Sequence, residues 1–104
     1  MGDSGEIQEW QHLWGAKVKL PTDVPDDLLK DGIQTVQATL EKYPDFEADG
    51  MTIVEEVKTQ FDERWGPSWH CILGKAFGAF VTHETQNFMY FYVGDKAVML
   101  FKAG

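Results

Sequence analysis

A single cysteine, Cys71, stands in the 104 residues of the chain. No internal disulfide can form, which points to a reducing compartment rather than to a secreted, disulfide-stapled fold. Basic side chains are scarce as well. Nine Lys and Arg face 17 Asp and Glu, a formal net charge of −8. Phosphate neutralisation supplies most nucleic-acid affinity, so this balance disfavours a nucleic-acid binder. Apolar runs are only a few residues long, so neither a bilayer-spanning helix nor a signal peptide is visible. One Cys and three scattered His give none of the short spacings of a zinc site. Gly74–Gly78 is too short for a phosphate-cradling loop, and it opens a strand rather than a helix.

What remains is an ordinary globular composition, 43% hydrophobic and 25% charged. At this length about two-thirds of the unfolded surface is buried on folding, which supports one core and no second domain. Charge is unevenly spread. Residues 1–68 hold 15 acidic and six basic side chains, whereas residues 69–104 hold two and three, with eight of the 14 aromatics. The first part reads as solvated helices and the last as a buried or contact-making sheet. Met1–Gly15 reads as a poorly ordered extension in which Trp10 and Trp14, four residues apart, suit at most a short amphipathic turn.

Lys17–Leu20 alternates like a short strand closed by Pro21. A helix start follows at Thr22–Asp27, with Pro25 near the first turn and Asp26 and Asp27 at the positive end of the dipole. Leu29, Ile33, Val36, Leu40 and Tyr43 form its apolar stripe, and Pro44 ends it. Asp45–Gly50 reads as a polar loop. Thr52 and Glu55 fit a capping box opening a second helix, whose stripe is Ile53, Val57, Phe61 and Trp65 and whose end is Gly66-Pro67. Glu55, Glu56, Asp62 and Glu63 fall on its wet side.

From Ser68 the period switches to two, predicting strands at Trp69–Gly74, Ala76–Glu84, Asn87–Val93 and Lys96–Lys102. The last two are apolar on both faces. Two helices can cover only one face of such a sheet, so the other calls for a partner, and a second copy is the simplest supply. His70-Cys71 with His83 is the one hint of nucleophilic chemistry. Adjacent strand residues point to opposite faces, however, so His70 cannot serve as base for Cys71. Aromatic Phe88–Tyr92 superficially matches a base-stacking sheet, but the basic footprint of an RNA reader is missing. A sheet edge beside an apolar groove, ready for an extended peptide, is the better candidate.

Trp69-His70-Cys71-Ile72, Val81-Thr82-His83-Glu84-Thr85, Phe88-Met89-Tyr90-Phe91-Tyr92 and Leu100-Phe101-Lys102 strongly resemble the cytoplasmic dynein light chains of the eight-kilodalton class. Leu40-Glu41-Lys42-Tyr43 also fits, and the resemblance runs from about Lys17 to Gly104, giving a single domain over residues 16–104. It implies an α+β fold: an N-terminal strand, two helices and a four-stranded antiparallel sheet, assembled as a strand-swapped homodimer. It implies no enzymatic activity and no cofactor. The partners it implies are a second copy, dynein intermediate chain and disordered segments of other proteins bearing Thr-Gln-Thr-like motifs, in the cytoplasm and on the microtubule cytoskeleton. A dynein-independent adaptor or inhibitor-type module using the same groove is the alternative.

Carried onto this sequence, the resemblance builds the peptide groove from Phe77, Ala79, Val81, Thr82 and His83 of a crossing strand. Phe88, Tyr90, Tyr92, Ala97 and Met99 lie beneath, and Met51 stands near the start of the second helix. It places His70, Phe80 and Lys58 at the dimer interface, where a neutral histidine buried against its mate makes the dimer acid-labile; the alternative is a core histidine satisfied by a backbone partner. Two departures stand out. Pro44–Gly50 is about four residues longer than the family pattern, so Gly50 or Met51 falls where the family anchors the motif's Gln. The terminal Lys-Ser-Gly reads Lys102-Ala103-Gly104, which removes the serine of a proposed phosphorylation control.

Overall fold

In a computed structural model of the chain, residues 9–20, 22–75 and 87–102 are described. The elements run β1 (Glu9–Leu13), β2 (Ala16–Leu20), α1 (Asp26–Lys42), α2 (Phe46–Trp65), β3 (Trp69–Gly74), β4 (Phe88–Val93) and β5 (Lys96–Lys102). All strand pairings are antiparallel, and the sheet order is β1-β2-β4-β5-β3. This is the α+β class expected, with two helices and an antiparallel sheet. Ala76–Glu84 lies outside the described residues.

Both helices pack on one sheet face. Alternation along the strands sends Val18, Trp69, Met89, Phe91, Val98 and Leu100 to that face, where each is at most 1% exposed. The helical stripes meet them with Leu29, Ile33 and Val36 from α1 and Ile53, Val57 and Phe61 from α2. Gly32 lets α1 come close. A Cβ there would stand 3.1 Å from Met89 Sδ and 3.3 Å from both Leu100 Cδ2 and Phe61 Cζ. Thr22 fixes the approach to α1: its hydroxyl donates to the Phe88 carbonyl at 3.0 Å and accepts from Val24 N–H.

Two local expectations are corrected. The first concerns the described part of the extension, because Glu9–Leu13 pairs along its whole length with β2, whereas residues 1–8 lie outside the described residues. The turn is Trp14-Gly15, and both residues adopt positive φ, 48° and 82°. That geometry matches the right-handed twist of a two-residue hairpin, at a cost for Trp14 that Gly15 does not share. Trp10 is therefore a strand residue and not part of a helical turn. The second correction concerns Asp45–Gly50, whose last five residues are the beginning of α2. Asp45, not Thr52, caps the helix, accepting from Ala48 N–H at 3.1 Å. The chain kinks at Asp49 (φ −110°, ψ 16°), which resets the periodicity and makes Thr52 look like a start.

The acidic face of α2 is also less solvated than its pattern suggests. Glu56 accepts from Lys42 at 3.1 Å and from the Tyr43 hydroxyl at 3.0 Å, tying the end of α1 to α2. Asp62 accepts from Trp69 N–H at 2.8 Å and from Lys58, setting the start of β3 against α2.

A candidate strand-addition groove

Among the described residues β3 is paired on one side only, by β5. Against it lies the N-terminal part of α2. Phe61 holds the two together, with its ring edge-on to Trp69 at 5.0 Å. Farther along, the elements part and leave a trough of about 760 Å³ lined by Phe46, Gly50, Met51, Val54, Ile72 and Leu73, among others. A smaller hollow of about 220 Å³ continues it along β3, between Lys58 and Val54 on one side and His70, Ile72 and Phe101 on the other.

Met51 is 79% exposed and Ile72 43%, the most exposed large apolar side chains among the described residues, and both line this trough. An apolar channel beside a strand edge offers the two things an extended segment needs: backbone partners, and pockets for alternate side chains. Ile72, Phe46, Val54 and Leu73 were not singled out from the sequence. A signal existed. Phe46, Gly50 and Val54 recur at intervals of four, a second weakly apolar stripe beside the core stripe of Ile53, Val57 and Phe61.

The expected site residues separate into three sets. Phe77, Ala79, Phe80, Val81, Thr82 and His83 lie outside the described residues. Phe88, Tyr90, Tyr92, Ala97 and Met99 share the sheet face turned away from the helices, in registers Phe88↔Phe101, Tyr90↔Met99 and Tyr92↔Ala97. His70 joins that face; it is exposed and stacks on Phe101 at 5.5 Å. Met51 and Lys58 stand on α2 across the trough, with Lys58 paired to Asp62.

The electrostatics argue against nucleophilic chemistry. Burial pushes the Cys71 thiol up to about 12, which keeps it protonated and unreactive. Burial, aided by a hydrogen bond with Tyr92, raises the Tyr90 phenol to about 12. Asp62 is held below the usual carboxylate range, first by the Lys58 hydrogen bond and then by the Trp69 backbone N–H. Among the described residues no three His, Cys, Asp or Glu side chains gather as a metal site. No helix there is long and apolar enough to cross a membrane.

The fold of two helices on one face of an antiparallel sheet is that of the dynein light chain-like domain of Fasciola hepatica calcium binding protein FhCaBP2. A mercury derivative of that domain superposes with a TM-score of 0.76 at 12% identity, over 89% of this chain and 96% of the other. A native crystal form gives 0.74, also at 12% identity, over 90% and 100%. The sequence goes further. A family described as dynein light chain type 1 matches residues 16–103. A "Dynein light chain" of Schistosoma mansoni is 43% identical over 82 residues, covering 79% of this chain and 88% of the relative. The chain belongs to the dynein light chain family.

Proposed function

We propose that the chain is a non-catalytic, homodimeric dynein light chain that binds short, Thr-Gln-Thr-like linear motifs by strand addition. Dynein intermediate chain and disordered segments of other cytoplasmic proteins are its partners. The observation that carries the reading is the pairing of a one-sided strand, β3, with an apolar trough whose most exposed side chains are Met51 and Ile72. Burying the apolar part of an extended segment there contributes about 25 cal/mol per Å², and backbone pairing supplies direction.

The second copy enters through the sheet. Its helix-free face carries Phe88, Tyr92, Met99 and Phe101 at intermediate burial, with His70 exposed. Such a face is covered at least cost by the same face of another copy. In that arrangement Ala76–Thr82 crosses to the open β3 edge of the partner's sheet, and its own outer edge, beside the same trough, receives the peptide, with Phe77, Ala79, Val81, Thr82 and His83 toward the groove. His70, Phe80 and Lys58 sit between the copies. Two identical grooves then raise the effective concentration of a second bound chain, so the module dimerises what it binds. Use of the same groove away from the motor, as an adaptor, needs no change in the geometry; the departure at Pro44–Met51 is where motif preference would diverge.

The test is calorimetry with Thr-Gln-Thr peptides on the intact chain and on Val81→Asp and Phe77→Asp. Strand addition expects measurable binding to the unaltered chain, and its loss in both variants with helical content retained. Unchanged affinity in folded variants refutes the groove assignment.

A further inference from the structure

The first strand precedes the family-matched residues 16–103, yet it is built into the sheet. Register puts Trp10, Lys17 and Lys19 on the helix-free face with Tyr90 and Tyr92. The Trp10 ring reaches across β2 and lies edge-on to both tyrosines, at 5.4 Å and 80° from Tyr90 and 5.5 Å and 64° from Tyr92. The two tyrosine rings stack on each other at 6.1 Å. Lys17 completes the cluster, its ammonium 5.3 Å from the Trp10 ring and 5.6 Å from the Tyr92 ring. Tyr90 is 7% exposed.

We propose that β1 is a built-in cover, with Trp10 shielding Tyr90 and Tyr92 from the helix-free face of a second copy and thereby weakening self-association. The inference rests on the reading above that two copies meet through this face. Facing sheets pack about 10 Å apart, with the side chains of each interdigitating. An indole packed edge-on against the tyrosines stands in that layer and holds a second sheet off this end of the face. The Lys17 ammonium adds to the barrier, because burying a charge without a counter-charge is costly. For the copies to close fully, Trp10 and Lys17 must leave the tyrosines, so dimer strength is tied to whether β1 is docked. Anything that draws β1 away tightens the dimer, and with it the paired grooves.

The experiment is sedimentation equilibrium on the full chain, on Trp10→Ala and on Trp10→Phe. Two edge-on aromatic pairs correspond to a roughly fivefold to hundredfold change in an equilibrium constant. Trp10→Ala is expected to lower the dimer dissociation constant by at least that lower figure, with Trp10→Phe falling between it and the unaltered chain. The phenylalanine variant also guards against misfolding, since it keeps an aromatic ring on the tyrosines. A dimer whose dissociation constant is unchanged or raised in both variants overturns the cover alone. Monomers throughout, for all three proteins, overturn both the cover and the face-to-face dimer.

Discussion

Replacing Gly32 by alanine should destabilise the protein, and the same replacement should become favourable once Phe61 is removed. Gly32 lies inside α1, where alanine is preferred by about 1 kcal/mol on helix propensity. Its missing Cβ, however, would stand 3.1 Å from Met89 Sδ and 3.3 Å from Leu100 Cδ2 and Phe61 Cζ, and all three neighbours are 0% exposed. Overpacking a filled core costs about 1–3 kcal/mol, so Gly32→Ala is expected to lose about 1 kcal/mol net. Phe61→Ala loses about 3–5 kcal/mol, since it empties a fully buried site and removes the edge-on contact that seats Trp69 on α2. Losing Phe61 removes one of the three contacts and opens space into which Met89 and Leu100 can yield, so the overpacking is relieved and the propensity gain of about 1 kcal/mol should emerge. The cycle therefore predicts a coupling of at least about 1 kcal/mol. Urea unfolding of the four proteins at one chain concentration measures it, concentration being held because self-association shifts apparent stability. Additivity within about 0.5 kcal/mol, or a Gly32→Ala single variant more stable than its parent, refutes the close helix–sheet approach.

Asp62, held low by Lys58 and then by the Trp69 N–H, contributes stability above its unfolded value near 3.9 that is lost as pH falls through the lower folded value. Asp62→Asn should thus be less stable at pH 7, with the gap to the parent closing below about pH 4; parallel urea midpoints across that range contradict the assignment. Cys71, half-buried with its thiol raised to about 12 by desolvation, should react with iodoacetamide at pH 8 more slowly in the native than in the unfolded chain, and labelling of the native protein at the rate of a free thiol speaks against the raised value. His70, exposed on the helix-free face and stacked on Phe101, should matter to assembly: His70→Lys sets two like charges against each other and is expected to sediment as a monomer at neutral pH, where a stable dimer would move the interface elsewhere.

Much of this architecture was legible because period and terminators agree. Trp69–Gly74 and Lys96–Lys102 alternate between flanking turn residues and form strands with the boundaries their pattern predicts. The stripe of Leu29, Ile33 and Val36 is the buried stripe of α1. Two of the failures share a cause, in that each turned on a local conformation the residue types do not announce. Trp14 occupies a positive-φ turn position usually taken by Asn, Asp or Gly, so the β1–β2 hairpin carried no recognisable signal. At the start of α2 the Asp49 kink interrupts the helical period, and the Thr52–Glu55 pattern drew attention from the cap at Asp45. In the groove, Met51 was reachable only through its likeness to known light chains. Ile72 looked like one more strand residue, because its exposure depends on which strand ends the sheet, and that order is set by pairings distant in sequence.

Amide hydrogen exchange of a Thr-Gln-Thr peptide, bound to saturation by the intact chain, tests strand addition most directly. A segment added to a sheet edge forms ladder hydrogen bonds through alternate residues, so alternate peptide amides should be strongly protected and those between them should not. Bound peptide with uniformly unprotected amides, or no binding at millimolar peptide, would contradict the account.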